Sequence, residues 1–174
     1  MKTILLIIAG MTGLMVVPSA KRHQSESQDS KFVQQAAEGG MLEVKLGALA
    51  SQKGMSAKVK EFGKTMVTDH TKVNNELKSI AGRKQIKVPT SLSSAKQQKY
   101  DSLAALSGEK FDMLYMNMMI ASHEQTIGLF QTESNKGEDQ ELKKWADAKV
   151  PALKHHLMMA QQLFQASPNG KSQR

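Results

Sequence analysis

The stretch at residues 85–106, QIKVPTSLSSAKQQKYDSLAAL, decides the fold. It parts two pairs of helical segments, and each pair is joined by a short turn. Pro89 lacks a backbone donor and holds its predecessor extended, so residues 85–92 read as loop. Residues 93–106 read as a short helix. The helix before this stretch runs about 29 residues, or about 43 Å. A helix of about 14 residues plus about eight extended ones reaches roughly 47 Å. The stretch is thus long enough to return along the whole bundle, so the chain reads as two antiparallel hairpins joined by one long crossover.

Outward from this crossover, apolar residues recur at three- and four-residue steps in four segments. The first covers about residues 31–52, with Ser30 as cap and Phe32, Ala36, Gly39, Glu43, Leu46 and Ala50 facing inward. The second, capped by Ser56, runs to about residue 84 with Val59, Phe62, Met66, His70, Val73, Leu77 and Ile80 inside. The third, capped by Ser107, covers residues 108–135 with Asp112, Met116, Met119, His123, Ile127 and Phe130 inside. The fourth covers residues 138–166 with Leu142, Ala146, Val150, Leu153, His156, Ala160 and Phe164 inside. Gly54 and Gly137 break the two hairpins. Gly39, Gly40 and Gly47 weaken the first helix but let a neighbour approach closely. Pro151 cannot bond to the carbonyl of Asp147 and predicts a kink or two abutting helices. The expected fold class is all-α: a ferritin-like four-helix bundle over residues 31–166, its long B–C crossover containing a short extra helix.

Composition agrees. Aromatics are 5% of the chain, and good helix formers dominate. With no cysteine, disulfides, thiolate metal sites and cysteine nucleophiles are excluded. Residues 1–20 read as a signal peptide: Lys2, an apolar run over residues 4–17, then small residues with cleavage after Ser19 or Ala20. The protein is therefore expected to be exported, periplasmic or secreted. Residues 21–30 read as a flexible leader and residues 167–174 as a disordered tail. The net charge of +8 allows weak contact with anionic envelope components. Export and the lack of a binding motif argue against nucleic acid. Oligomeric state is not legible.

Each of the four apolar stripes carries one ionisable residue of a metal-ligating type: Glu43, His70, His123 and His156. Counted along the helices, their depths agree within about six residues, or about 9 Å. Three imidazoles and a carboxylate could complete a site for one Zn, Cu, Fe or Mn ion. The plainer reading is a metal-free buried polar network. Asp69 and Asp112 lie beside the set and could orient imidazoles. A di-iron oxidase is not indicated, because the four helices hold no Glu-x-x-His pair. Met113, Met116, Met118, Met119, Met158 and Met159 lie near His123 and His156 in sequence; they suit Cu(I), and equally suit core filling.

The segments FVQQAAEGGMLEVKLGALASQKGMSAKVKEFGKTMVTDHTKVNNEL, LSGEKFDMLYMNMMIASHEQTIGLF and VPALKHHLMMAQQL resemble the exported bacterial domain-of-unknown-function 4142 family over about residues 32–163. The resemblance implies a ferritin-like fold. It places motif positions on Glu43, Asp69, His70, Phe111, Asp112, Tyr115, His123, Pro151 and His156. The third helix is also similar to the domain-of-unknown-function 305 family, which has paired histidines where this chain has Ser122-His123. Two functions follow as expectations: an exported metal-binding bundle serving metal buffering or envelope stress, or a non-enzymatic structural or interaction module. A metal-dependent oxidoreductase is the weakest reading, and the chain leans away from being an enzyme.

Overall fold

The computed structural model describes residues 27–167. The expected signal peptide, residues 21–26 of the leader and residues 168–174 of the tail lie outside the described residues. Five helices follow in order: α1 Gln28–Lys53, α2 Ala57–Arg83, α3 Ser94–Ala104, α4 Gly108–Lys136 and α5 Gln140–Ala166. Among the described residues there is no strand, and no helix is long and apolar enough to cross a membrane.

End contacts fix the topology. The Asp112 carboxylate at the start of α4 accepts from the backbone N–H groups of Met55 and Ser56 in the α1–α2 turn, at 2.9 and 2.8 Å. The Asp29 carboxylate at the start of α1 accepts from those of Glu138 and Asp139 in the α4–α5 turn, at 2.8 and 3.0 Å. Helix α4 therefore starts where α1 ends. Lys84, at the end of α2, pairs with Asp139 and Glu141 at the opposite end. The connection from α2 to α4 must cross the length of the bundle, and α3 packs on the outside of α1 and α4 as it does so. This is the ferritin-like arrangement. Around the bundle the order is α1, α2, α5, α4, with α2 and α5 making the sparsest contact of the four sides.

The two hairpins repeat one plan. Asp29, Gly54 and the N-cap Ser56 recur at one constant spacing as Asp112, Gly137 and the N-cap Asp139. Each hairpin's first helix thus carries the aspartate that ties down the other hairpin's turn. The closest approach of α1 and α2 is at Gly47 and Gly63, where a Cβ on either would lie 2.7 Å from the other's carbonyl oxygen.

Two helix starts and two caps differ from the sequence reading. Helix α1 begins at Gln28, capped by Ser27, whose Oγ accepts from Ser30 N–H at 3.2 Å. Residues 28–30 are therefore not leader. Asp29 is buried because it serves a distant turn, a role no local pattern displays. Ser56 and Ser107 hold N-cap positions but their side chains make no cap bond. Helix α5 starts at Gln140 with Asp139 as cap and runs unbroken through the exposed Pro151, so it is not two abutting helices.

The core falls into two apolar halves. One is built on Phe32, Leu77, Phe130, Leu142 and Leu153, the other on Leu46, Phe62, Met66, Phe111 and Tyr115. Between them lies a layer of buried ionisable side chains.

Candidate metal centre

Each helix of the bundle contributes one side chain to that layer: Glu43 from α1, His70 from α2, His123 from α4 and His156 from α5. All four are buried, none more than 5% exposed. The three imidazole rings form a near-equilateral triangle, with centroids 5.4–5.5 Å apart. Each ring offers one nitrogen so placed that the three lie within 4.8 Å of one another. An ion equidistant from such nitrogens would sit at most roughly 2.8 Å (4.8/√3) from each, and a zinc–imidazole bond is about 2.0–2.1 Å. A contraction well under 1 Å per ligand closes that gap, so the donor set fits a metal ion.

The outer nitrogens determine what the inner ones present. His70 Nδ1 donates to Glu43 Oε2 at 3.0 Å. His123 Nδ1 donates to the Met119 carbonyl at 2.8 Å. His156 Nε2 donates to Asp69 Oδ2 at 2.9 Å. A carbonyl and a carboxylate can only accept, so each of these nitrogens carries the proton. In a neutral ring the other nitrogen then holds a lone pair. Those others, His70 Nε2, His123 Nε2 and His156 Nδ1, are buried and find no hydrogen-bond partner among the described residues.

Glu43 meets the Nδ1 side of the His70 and His123 rings, not their unpartnered nitrogens. Its Oε2 is engaged by His70, and its Oε1 accepts from Ser122 Oγ at 2.8 Å and lies 3.7 Å from His123 Nδ1. Burial pushes its carboxyl up, but the His70 charge and hydrogen bond, with help from His123 and Ser122, outweigh burial and hold it at about 2. For His70 burial acts downward, and Glu43 outweighs it to leave the imidazole above its ordinary value. Burial holds His123 below its ordinary value. Burial likewise takes His156 down to about 4, and the bond to Asp69 only partly opposes this.

The four side chains expected to face inward at one depth, Glu43, His70, His123 and His156, lie together in this layer. The sequence reading placed Asp69 correctly beside an imidazole, whereas Asp112 caps a turn at the end of the bundle. It missed Ser122 and the Met119 carbonyl as partners. Ser122 had a signal, its adjacency to His123; the carbonyl had none. The methionines do not gather at the centre. Met116 and Met119 fill the core, Met113 lines an end groove with Met55 and Met116, Met118 faces the α3 side, and Met158 is exposed.

Fold and site together define a ferritin-like bundle with a three-histidine polar centre. The sequence matches the family described as Domain of unknown function (DUF4142) over residues 14–163, and the chain belongs to that family. A comparison with curated proteins finds no significant match. Among solved structures the chain is similar to a DUF305 fragment from Deinococcus radiodurans, with TM-score 0.70 and 13% identity over 80% of this chain and 96% of that one. It is also similar to CopM in the Cu(I)-bound form, with TM-score 0.67 and 18% identity over 79% of this chain and 95% of that one. CopM in an Ag-bound form gives TM-score 0.65 at 18% identity, with the same coverage. At these identities the likeness concerns the fold.

Proposed function

We propose that this protein binds one transition-metal ion at His70, His123 and His156 and serves as an exported metal-buffering protein. One observation carries the reading: three buried imidazoles each place a nitrogen within 4.8 Å of the others', and each ring has one buried nitrogen without a hydrogen-bond partner while its other nitrogen is held by an acceptor. A network serving packing alone would use both nitrogens, because an unpartnered buried polar atom costs about 1–3 kcal/mol. Here three such costs fall at one place. Glu43 and Asp69 orient His70 and His156 and raise their basicity, as partners of metal-bound imidazoles do. Glu43 thus moves from the expected ligand set to an orienting role.

Three imidazoles suit zinc, copper or iron better than manganese, which prefers oxygen. The fold it shares with CopM, a protein solved with copper and with silver, favours copper within that group. Thermal unfolding with and without Cu(II) or Zn(II) tests the proposal. A ligand that binds only the folded state raises the midpoint. The wild type should gain stability and His123→Ala should gain none while remaining helical. An equal response in the two proteins would refute the site.

A further inference from the structure

The least tightly packed side of the bundle leads to the candidate centre. A cavity of about 290 Å³ opens between α2 and α5, and Glu43, His70 and His156 form part of its wall. Three features keep it open. The part of the wall that α5 supplies includes the small, exposed Ala148 and Ala152, which leave room at the mouth. Opposite, Gly40 has no Cβ, and one there would collide with the side-chain amide of Asn74, another wall residue. One long side chain of the wall is held aside: Lys149 pairs with Glu76, which also accepts from Trp145 Nε1 at 3.0 Å. The space lies at the lower end of the range of small-molecule pockets, about 300–1,000 Å³.

We infer that this cavity brings a small exogenous anion to the metal ion's remaining coordination position. The inference rests on the metal reading above and extends it: the centre is open on one side rather than closed. Three protein ligands leave a tetrahedral ion one position short. The wall's three carboxylates, Glu43, Asp69 and Glu76, outnumber its two lysines, Lys72 and Lys149, by one charge, so a divalent ion held by three neutral imidazoles leaves the lined space with a net charge of about +1. Such a charge favours an anion over a neutral occupant. Asn74 and Thr126 on the cavity wall supply hydrogen-bonding groups without adding charge.

The test loads the full mature chain with Co(II), whose visible absorption reports on its ligands, and titrates it with sodium azide. The wild-type spectrum should change saturably. Ala152→Trp and Ala148→Phe place bulk at the mouth and replace no histidine. They should bind Co(II) as the wild type does, while their azide affinity falls roughly tenfold or more. Co(II) bound with a spectrum indifferent to azide would overturn the inference and leave the metal reading standing. Azide binding unchanged in both filled variants would overturn the route. Failure of Co(II) to bind at all would bring down both readings.

Discussion

Glu43 accepts a hydrogen bond from His70 Nδ1 at 3.0 Å with both side chains buried in the middle of the bundle, and so holds His70 Nε2 toward the other two imidazoles. A carboxylate in that place acts on the ion through the ring. Glu43→Gln keeps the size, loses the charge and leaves an acceptor for Nδ1. It should weaken metal binding by about 10–100-fold without abolishing it. Competition titration against a chromophoric chelator measures the change. Loss as complete as in His70→Ala would instead make Glu43 a direct ligand.

The pH dependence of binding should involve one proton. His123 and His156 are held below the ordinary imidazole value by burial, so both give up their protons more readily than a free imidazole. His70 lies above it because of Glu43, so the ion must displace the His70 proton. Affinity should therefore rise with pH above the ordinary imidazole value and level off once His70 has lost its proton. Isothermal titration in buffers of different ionisation enthalpy would count the protons released. A release of three would contradict the arrangement.

Much of this centre was legible beforehand, for a reason specific to helices. Inward stripes repeat every three or four residues, so a histidine on a stripe announces its direction, and equal depth along four stripes announces convergence. What pairs with each histidine is set by side-chain rotation and backbone carbonyls, which periodicity does not encode. Hence the Met119 carbonyl went unseen, and Glu43 was grouped with the histidines rather than read as a partner of His70. Asp29 was unreadable for the opposite reason. It sits in a polar run with no period, and its partners are over a hundred residues away.

Asp29 and Asp112 should matter more than their positions near helix starts suggest. Each makes two charge-assisted bonds to a turn of the other hairpin. Asp112→Ala should cost about 2–3 kcal/mol in urea denaturation, as should Asp29→Ala. The sites lie at opposite ends of the bundle, so the double variant should lose close to the sum. Losses near zero would mean that the turns hold without them.

Glu133 supplies a pH signature separate from the metal centre. It is fully buried, with Gln28 Nε2 donating to Oε2 at 3.3 Å and Asp29 nearby. Burial, with the neighbouring Asp29 charge, raises its carboxyl to about 7. The folded state therefore holds a proton that the unfolded chain has released above about 4.5. Stability should fall as pH rises from 4.5 to 7 and then level off. Glu133→Gln should flatten that slope. Metal-free protein followed by denaturant titration between pH 5 and 8 checks it, and an unchanged slope would count against the assignment.

The most direct test of the central claim is elemental analysis after equilibrium dialysis of the mature protein against Cu(II) or Zn(II). The wild type should retain one ion per chain, and His70→Ala, His123→Ala and His156→Ala should each retain essentially none. Retention no greater than in a protein-free control, or retention in the three variants equal to wild type, would contradict the account. The three histidines would then be a polar layer that organises the bundle and binds nothing.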